Sequence, residues 1–341
     1  MRYLIIDTAN MFFRARHAAF RAADAHEKVG YAMHVTLSSV NRMYRKFGAD
    51  HVLFCLEGRS WRKDVYPRYK RNRSDARAAL TEKEQEEEQV FWEVFEELTK
   101  YLKEQTNCSV IRHERAEADD IIARWVDLHP DDNHIIISSD TDFVQLLSDN
   151  VQQYNGVMGH LITTAGILDD KDLPVKEKKT GEPKAVPDPE WLLFEKCFRG
   201  DATDNIFSAY PGVRKKGTKN KTGLLEAFED RKTKGFSWNN LMLQRWTDHE
   251  GVEHRVLDDY ERNRKLIDLR AQPNDVKAAV DAAIAEQVSK EDVTQVGVRF
   301  MKFCGRHELI KLSEMATQFS EWLNKTYQGA IDDQSNPGNN R

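Results

Sequence analysis

The stretch "ERAEADDIIARWV" (residues 114–126) sets three carboxylates, Glu117, Asp119 and Asp120, directly in front of an apolar helical run. Ala118, Ile121, Ile122, Trp125 and Leu128 recur at helical spacing and form one apolar face, so this segment is expected to be a helix lying on a core. Like charges gathered beside a core repel and raise one another's pKa, so their grouping calls for a compensating partner. On a wheel advancing about 100° per residue, Asp120 falls about 60° from Glu117 and Asp119 about 160° from it. Glu117 and Asp120 are therefore expected to share a site, with Asp119 the least direct of the three.

Working outward, the triplet follows "CSVIRH" (108–113), which reads as a strand. The same arrangement recurs. "YLII" ends at Asp7, "HVLFCL" (51–56) ends at Glu57, and "HIIISS" (134–139) runs into Asp140 and Asp142 in "ISSDTDF". Helical runs separate these strands, which predicts a mostly parallel central sheet with helices on both faces. In such a sheet the carboxyl ends of the strands share one edge, where ligands bind. "VQQYNGVMGHLIT" extends the pattern as a hairpin turning at Asn155-Gly156 or Met158-Gly159.

Carboxylates from four strand ends are thus expected to converge. A helix cap or a first-turn dipole contact accounts for any one of them, but not for four groups in the same place. A hard divalent cation with oxygen ligands removes the repulsion. No His or Cys accompanies these acids, so magnesium or manganese suits the set better than zinc. The four cysteines are scattered without a C-x-x-C pair and read as free buried thiols of a cytoplasmic protein.

The net charge of −5 averages over strongly segregated charge. Residues 59–77 hold eight Lys/Arg against two Asp, and residues 211–234 hold eight against three acids, local balances of +6 and +5. Two basic patches on an acidic chain fit local phosphate binding. "GVRKKGTK" imitates a P-loop, but its lysine is displaced and no strand precedes it, so ATP binding there is rejected. No run of about 18 apolar residues is present, and the start lacks the pattern of a signal peptide. A membrane partner is not expected.

Residues 169–189 are rich in Pro and charge, as in a linker. Beyond them helix dominates. "PEWLLFEKCF" has Pro189 at a helix N1 position, "WTDHEGVEHRV" reads as a small hairpin around Gly251, and 276–288 and 306–327 read as helical. The division is 1–189 and 190–327, with a polar tail, 328–341, expected to be disordered. A further acidic pair, Asp201 and Asp204, lies in "RGDATDNIFSAYPGVRKKG", just before the second basic patch.

Taken in order, "LIIDTAN", "VLFCLEGRSWRKDVYPRYKRNR", "EADD", "ISSDTDF" and "GDATDN" make the chain resemble the phage and bacterial 5′–3′ exonuclease and flap endonuclease family, closest to its phage-type ribonuclease H members. The resemblance covers the chain to about residue 207. It implies a PIN-like nuclease sheet beneath a helical arch (about 58–105) and a mainly helical C-terminal domain with a helix-turn-helix-like DNA-binding element. It also implies two Mg²⁺ or Mn²⁺ ions. Asp7, Glu57, Asp120 and Asp140 would surround one, with Glu117 close by and Asp119 in the same triplet. Asp142, Asp201 and Asp204 would serve the other. Lys70 and Arg73 match the arch cations that contact the scissile phosphate, and at a spacing of three they share a helix face.

Two departures stand out. Most members carry Asp where this chain has Glu57, and the family's Gly-x-Gly phosphate clamp here reads Gly212-Val213-Arg214. The K⁺ ion that the resemblance places near this element loses part of its amide nest, while Arg214, Lys215 and Lys216 offer the phosphates side-chain contacts instead. With Lys219 and Lys221, and with Arg62 and Lys63 in the first basic stretch, they form the expected DNA-binding set.

The function so implied is structure-specific hydrolysis of 5′ ends, flaps and RNA primers on DNA by a monomeric enzyme, with a single-stranded-DNA-binding protein or sliding clamp as partner by analogy. A non-catalytic, metal-stabilised nucleic-acid binder and a PIN-type ribonuclease are the alternatives.

Overall fold

The computed structural model describes residues 1–18, 24–219 and 221–331; residues 332–341, most of the expected tail, lie outside them. In chain order the first elements are β1 (Arg2–Asp7), α1 (Thr8–Ala18), α2 (Ala25–Phe47), β2 (His51–Leu56), α3 (Arg62–Val65), α4 (Arg71–Ala78) and α5 (Glu82–Gln105). They are followed by β3 (Ser109–Arg112), α6 (Ala118–Leu128), β4 (Asn133–Ile137), a short 3₁₀ turn (Thr141–Leu146), β5 (Val151–Asn155), β6 (His160–Ile162) and β7 (Ile167–Leu168). The remainder comprises α7 (Pro189–Arg199), α8 (Leu224–Asp230), α9 (Phe236–Met242), β8 (Arg245–Thr247), β9 (Glu253–Arg255) and α10 (Val256–Ile267). It closes with α11 (Asn274–Val288), α12 (Val296–Arg306), α13 (Ile310–Glu314) and α14 (Ala316–Leu323).

The main sheet has the order β3-β2-β1-β4-β5-β6-β7. Pairings from β3 through β5 are parallel, and β6 and β7 add antiparallel strands at one side. The parallel strands are short and apolar because both faces are covered. Leu4, Ile6, Val52, Phe54, Ile135 and Ile137 face the core shared with α1, α2, α5, α12 and α14. Tyr3 on the opposite face meets Trp125 of α6 edge to face at 5.1 Å. The sheet, its hairpin and the helices on both faces are those expected.

The chain divides into two compact units. The first comprises Met1–Ser60, Leu80–Val186 and the chain from Asn274 onward; the second comprises Trp61–Ala79 and Pro187–Pro273. This corrects the division at 189/190 in two ways. The last four helices belong to the first unit, because Phe300, Phe303, Phe319 and Trp322 complete its apolar core. The expected arch, 58–105, is not one element either. α5 starts at a Thr81–Glu84 capping box and buries Phe91, Phe95, Leu98 and Leu102, so it is a core helix of the first unit. The segment 306–327 is broken at Glu308 (φ 54°) and ends its helix at Leu323.

In the second unit α7 begins as expected, with Pro at the first turn and Asp188 as its cap. It packs with α8, α9 and α10 around Phe194, Phe198, Leu224 and Tyr260. The β8–β9 hairpin forms around Gly251 (φ 81°). No helix among the described residues is long and apolar enough to cross a membrane, and all four cysteines are buried.

Candidate active site

The strand order reverses direction between β1 and β4, and the crevice at that point is where an open α/β sheet binds ligands. The register pairs Ile6 with Ile137, which sets Asp7 level with Ser138. Ser138 Oγ donates to Asp7 Oδ2 at 2.8 Å and accepts from the Asp140 amide at 3.0 Å. Asp140 caps the 3₁₀ turn, its Oδ1 accepting from the Asp142 amide at 2.9 Å. Gln153 holds this loop from β5 through the Ser138 and Asp140 carbonyls. Asp7 also accepts from the Asn10 amide at 3.3 Å, and Asn10 Oδ1 accepts from Ser139. Ser138 thus links Asp7 to the Asp140 loop.

Glu57 reaches the same edge by a backbone splice. Gly58 N–H donates to Ala116 O at 2.9 Å and Arg59 N–H to Glu114 O at 2.7 Å, which ties the loop after β2 to the loop after β3. A Cβ at Gly58 would lie 1.9 Å from His113 O, so only glycine permits this approach. Glu57 Oε2 then accepts from Ala118 N–H at 3.3 Å, at the start of α6, where the exposed amides favour negative charge.

The acidic triplet departs from the wheel. Glu117 has extended dihedrals (φ −86°, ψ 167°) because it is the cap of α6 and not its first helical residue, so angles counted from it do not apply. Glu117 and Asp120 are buried, and the Glu117 amide donates to Asp120 Oδ2 at 3.0 Å. Ser60 Oγ donates to Glu117 Oε2 at 2.9 Å. Burial, then the charges of Asp7, Asp119 and Glu57, hold the Cys55 thiol at the end of β2 well above its ordinary value. Asp119, expected to be the least direct of the three, lies within electrostatic reach of Cys55.

Among the described residues, no three His, Cys, Asp or Glu side chains stand in a group tight enough to hold one metal ion. Ser138, Ser60 and backbone amides donate to Asp7, Glu117, Glu57 and Asp140. Ser138, Ser60, Asn10 and Arg14 were absent from the sequence-based set. Burial lowers the Arg14 pKa and Asp7 works against that, so Arg14 stands within electrostatic reach of Asp7. Short hydroxyl and amide side chains beside each acidic motif were the signal that could have found the first three.

The second unit contains the other acids and the candidate phosphate cations. Gly200 (φ 74°) opens the "GDATDN" loop, and a Cβ there would lie 2.3 Å from Ile206 O. Asp201 Oδ1 accepts from the Thr203 amide at 2.8 Å, and its Oδ2 pairs with Lys196 at 2.8 Å. Burial would raise the Asp201 carboxyl, but Lys196 and the loop amides outweigh it and its pKa falls. Asp204 accepts from Tyr69 OH at 3.0 Å and from Arg73 at 2.6 Å, with Lys70 Nζ at 3.9 Å. Lys70 and Arg73 both reach Asp204, but not from the shared helix face expected, because Lys70 precedes the first helical residue. Lys70 is the left-handed cap of α4 (φ 52°), with its amide bonded to Asp204 O at 2.9 Å.

Of the expected DNA contacts, Lys63, Arg214, Lys215, Lys216, Lys219 and Lys221 are exposed. Arg62 is not a surface contact. It is 1% exposed, and its Nε donates to Leu266 O at 2.7 Å. The Gly217 and Gly223 amides both bond Glu226, which folds the basic loop onto the start of α8.

A family model described as the 5′-3′ exonuclease, N-terminal resolvase-like domain matches residues 2–178. The chain is 28% identical over 234 residues to DNA polymerase I of Rhizobium leguminosarum, a match spanning 67% of this chain and 19% of that polymerase. It is 28% identical over 228 residues to the flap endonuclease of Escherichia phage T5, spanning 66% of this chain and 69% of that one. A solved structure of the T5 5′-exonuclease with bound divalent metal ions (zinc) superposes with a TM-score of 0.58 at 21% identity, covering 84% of this chain and 99% of that one. At that identity the likeness is one of fold.

Proposed function

The chain belongs to the 5′–3′ exonuclease family, whose N-terminal resolvase-like domain spans residues 2–178, and from that premise we propose a divalent-metal-dependent nuclease acting on 5′ ends, flaps and RNA primers annealed to DNA. What supports this reading is that Asp7, Glu57, the α6 triplet, and Asp140 with Asp142 each follow the carboxyl end of a parallel strand of one sheet. The donor set is all oxygen, as Mg²⁺ or Mn²⁺ prefers. Asp7, Glu57, Asp119 and Asp140 would hold the metal directly, with Asp142 beside them and Glu117 and Asp120 fixing the start of α6. Metal held here supplies an activated water and charge stabilisation for the departing oxygen.

The protein's own groups do the rest. Ser138 aims Asp7 and the Asp140 loop together, and Ser60 keeps Glu117 oriented. Lys70 and Arg73 neutralise charge on the scissile phosphate, exchanging their hold on Asp204 for the substrate. For Asp201 and Asp204 to take a cation, their pairings with Lys196 and Arg73 must open. The exposed cations of the 214–221 loop, in place of a helix-turn-helix clamp of Gly-x-Gly type, grip duplex phosphates without reading sequence. A K⁺ ion at this element would have to be held by backbone carbonyl oxygens, while the Gly217 and Gly223 amides go to Glu226.

The test incubates the protein with a labelled 5′ flap, a nicked duplex, an RNA–DNA hybrid and single-stranded RNA, in Mg²⁺, Mn²⁺ or EDTA. Metal-dependent products released from 5′ ends are expected. Binding without any metal-dependent product would make the chain a non-catalytic binder, and cleavage of free RNA alone would make it a ribonuclease.

A further inference from the structure

The second unit carries a cavity of about 620 Å³, enough for a nucleotide-sized fragment, that the nuclease reading does not use. Its walls include Tyr66, Arg68, Phe207, Trp246, His254 and Arg262. Trp246 and His254 stack with ring centres 4.4 Å apart and planes 14° apart. Trp246 is anchored by its Nε1 to Ala209 O at 2.9 Å, and His254 by Asp259 and Asp248 at 2.9 and 3.2 Å. Phe207 is 46% exposed although its carbonyl is fixed by Asn263 at 2.8 Å. The Arg68 guanidinium lies 5.4 Å from its ring centre, and that of Arg262 lies 5.1 Å from Tyr66. A single exposed aromatic needs no explanation. Rigid aromatics and guanidinium planes gathered in one concavity form a stacking platform.

The acids of the cavity narrow the ligand. Asp248 accepts from the Glu250 and Val252 amides as well as His254, and Asp259 pairs with both His254 and Arg262. These carboxylates already hold hydrogen-bond donors on the protein, so they do not call for a cation. A phosphate inside would meet them and Glu250, whereas the amino groups of a base find acceptors among them. The site therefore suits the flat neutral part of a nucleotide and leaves its phosphate outside.

Its position supplies that phosphate. Arg68 O accepts from Asn205 Nδ2 at 2.6 Å, and these two residues adjoin Lys70 and Asp204 in the same unit. We propose that the cavity receives one unpaired nucleobase of the strand whose phosphate is held by Lys70 and Arg73. The proposal rests on the nuclease reading for the strand itself.

The experiment uses the full chain in EDTA with a duplex bearing a 5′ single-stranded tail, 2-aminopurine being placed at each unpaired position in turn. One position is expected to be selectively quenched. Phe207→Ser should abolish that quenching and weaken binding of the tailed duplex roughly tenfold, the value of one lost base stack, while the blunt duplex changes less than about twofold. Arg68→Gln, on an exposed side chain, should move both readouts in the same direction and decides the matter if Phe207→Ser melts early. Uniform quenching, or equal weakening of tailed and blunt duplexes, overturns the proposal. Metal-dependent flap cleavage by the unaltered protein is scored separately. Cleavage without selective quenching sinks only the base site, and absence of both cleavage and binding sinks the nuclease reading with it.

Discussion

The acidic edge of the first unit and the cationic loops of the second face opposite electrostatic problems. At the edge, Asp7, Glu57 and Asp140 are like charges placed by strand ends, and Ser138 Oγ, the Ala118 amide and the Asp142 amide donate to them. In the second unit Lys70, Arg73 and Lys196 are already matched by Asp204 and Asp201. The first arrangement gains from a cation brought from outside; the second gains from an anion that competes for its lysines and arginines. Metal and phosphate are thus complementary to different parts of the chain, for reasons that can be broken separately.

The largest expected effect lies at the edge. Asp140→Asn keeps the cap on the Asp142 amide but removes a charge, so cleavage should fall on the order of 10²–10³-fold, the scale of losing one key electrostatic group. Binding of a flap in EDTA should stay within a few-fold. Normal cleavage in Mg²⁺ would remove this edge from the chemistry. Lys70→Ala comes next. Single-turnover cleavage should slow by about 10²-fold with little change in Kd, and a pure binding defect would turn Lys70 into a tether.

Within the triplet the comparison sharpens. Asp119→Asn should cost more activity than Glu117→Gln, because Asp119 lies within electrostatic reach of Cys55 at the end of β2 while Glu117 is engaged by Ser60 and the cap of α6. Glu117→Gln should instead lower the melting temperature. The reverse order, with Asp119→Asn the milder in activity, would restore the helical-wheel assignment.

The cap position of Glu117, from which the wheel was counted, shows which features the sequence carries plainly. Strand identity and the shared edge follow from period and alternation, which act locally, so β1, β2, β3, β4 and their terminal acids were readable within a residue or two. The cap position of Glu117 was not, because one residue of helix onset changes every angle counted from it. The burial of Arg62 was also hidden, since a basic residue between basic neighbours reads as surface until Leu266, two hundred residues away, takes its Nε–H. The return of α11 to α14 to the first core is likewise long-range. An apolar helix face does not say which sheet it will cover.

The two ends of the strands differ as well. Opposite the acidic edge, His51 and His134 are buried with Tyr3 at the start of the sheet. Burial lowers both to about 4, partly offset by their bonds to the Lys325 and His129 carbonyls. Between that value and the ordinary His pKa of about 6.5, the unfolded chain binds protons that the folded chain refuses. Stability should therefore be full above about pH 6.5 and decline as pH falls toward 4. Thermal melts at pH 8, 6 and 5 check this. A melting temperature that stays flat from pH 7 to 5 would mean that these histidines are protonated inside the fold.

The smallest effect separates two cations that look alike in sequence. Lys216 is exposed on the loop organised by Glu226, so Lys216→Ala should weaken duplex binding modestly and reduce the slope of log K against log salt by about 0.9, the loss of one phosphate contact. Arg62 is sealed inside the second unit, so Arg62→Gln should leave that slope unchanged and lower stability instead, because the Leu266 carbonyl loses a charged donor. Binding isotherms at several salt concentrations, beside melts of both variants, read the two outcomes together. If Arg62→Gln flattened the slope and Lys216→Ala did not, the duplex would run along the α3 segment, and the 214–221 loop would be a solvated turn.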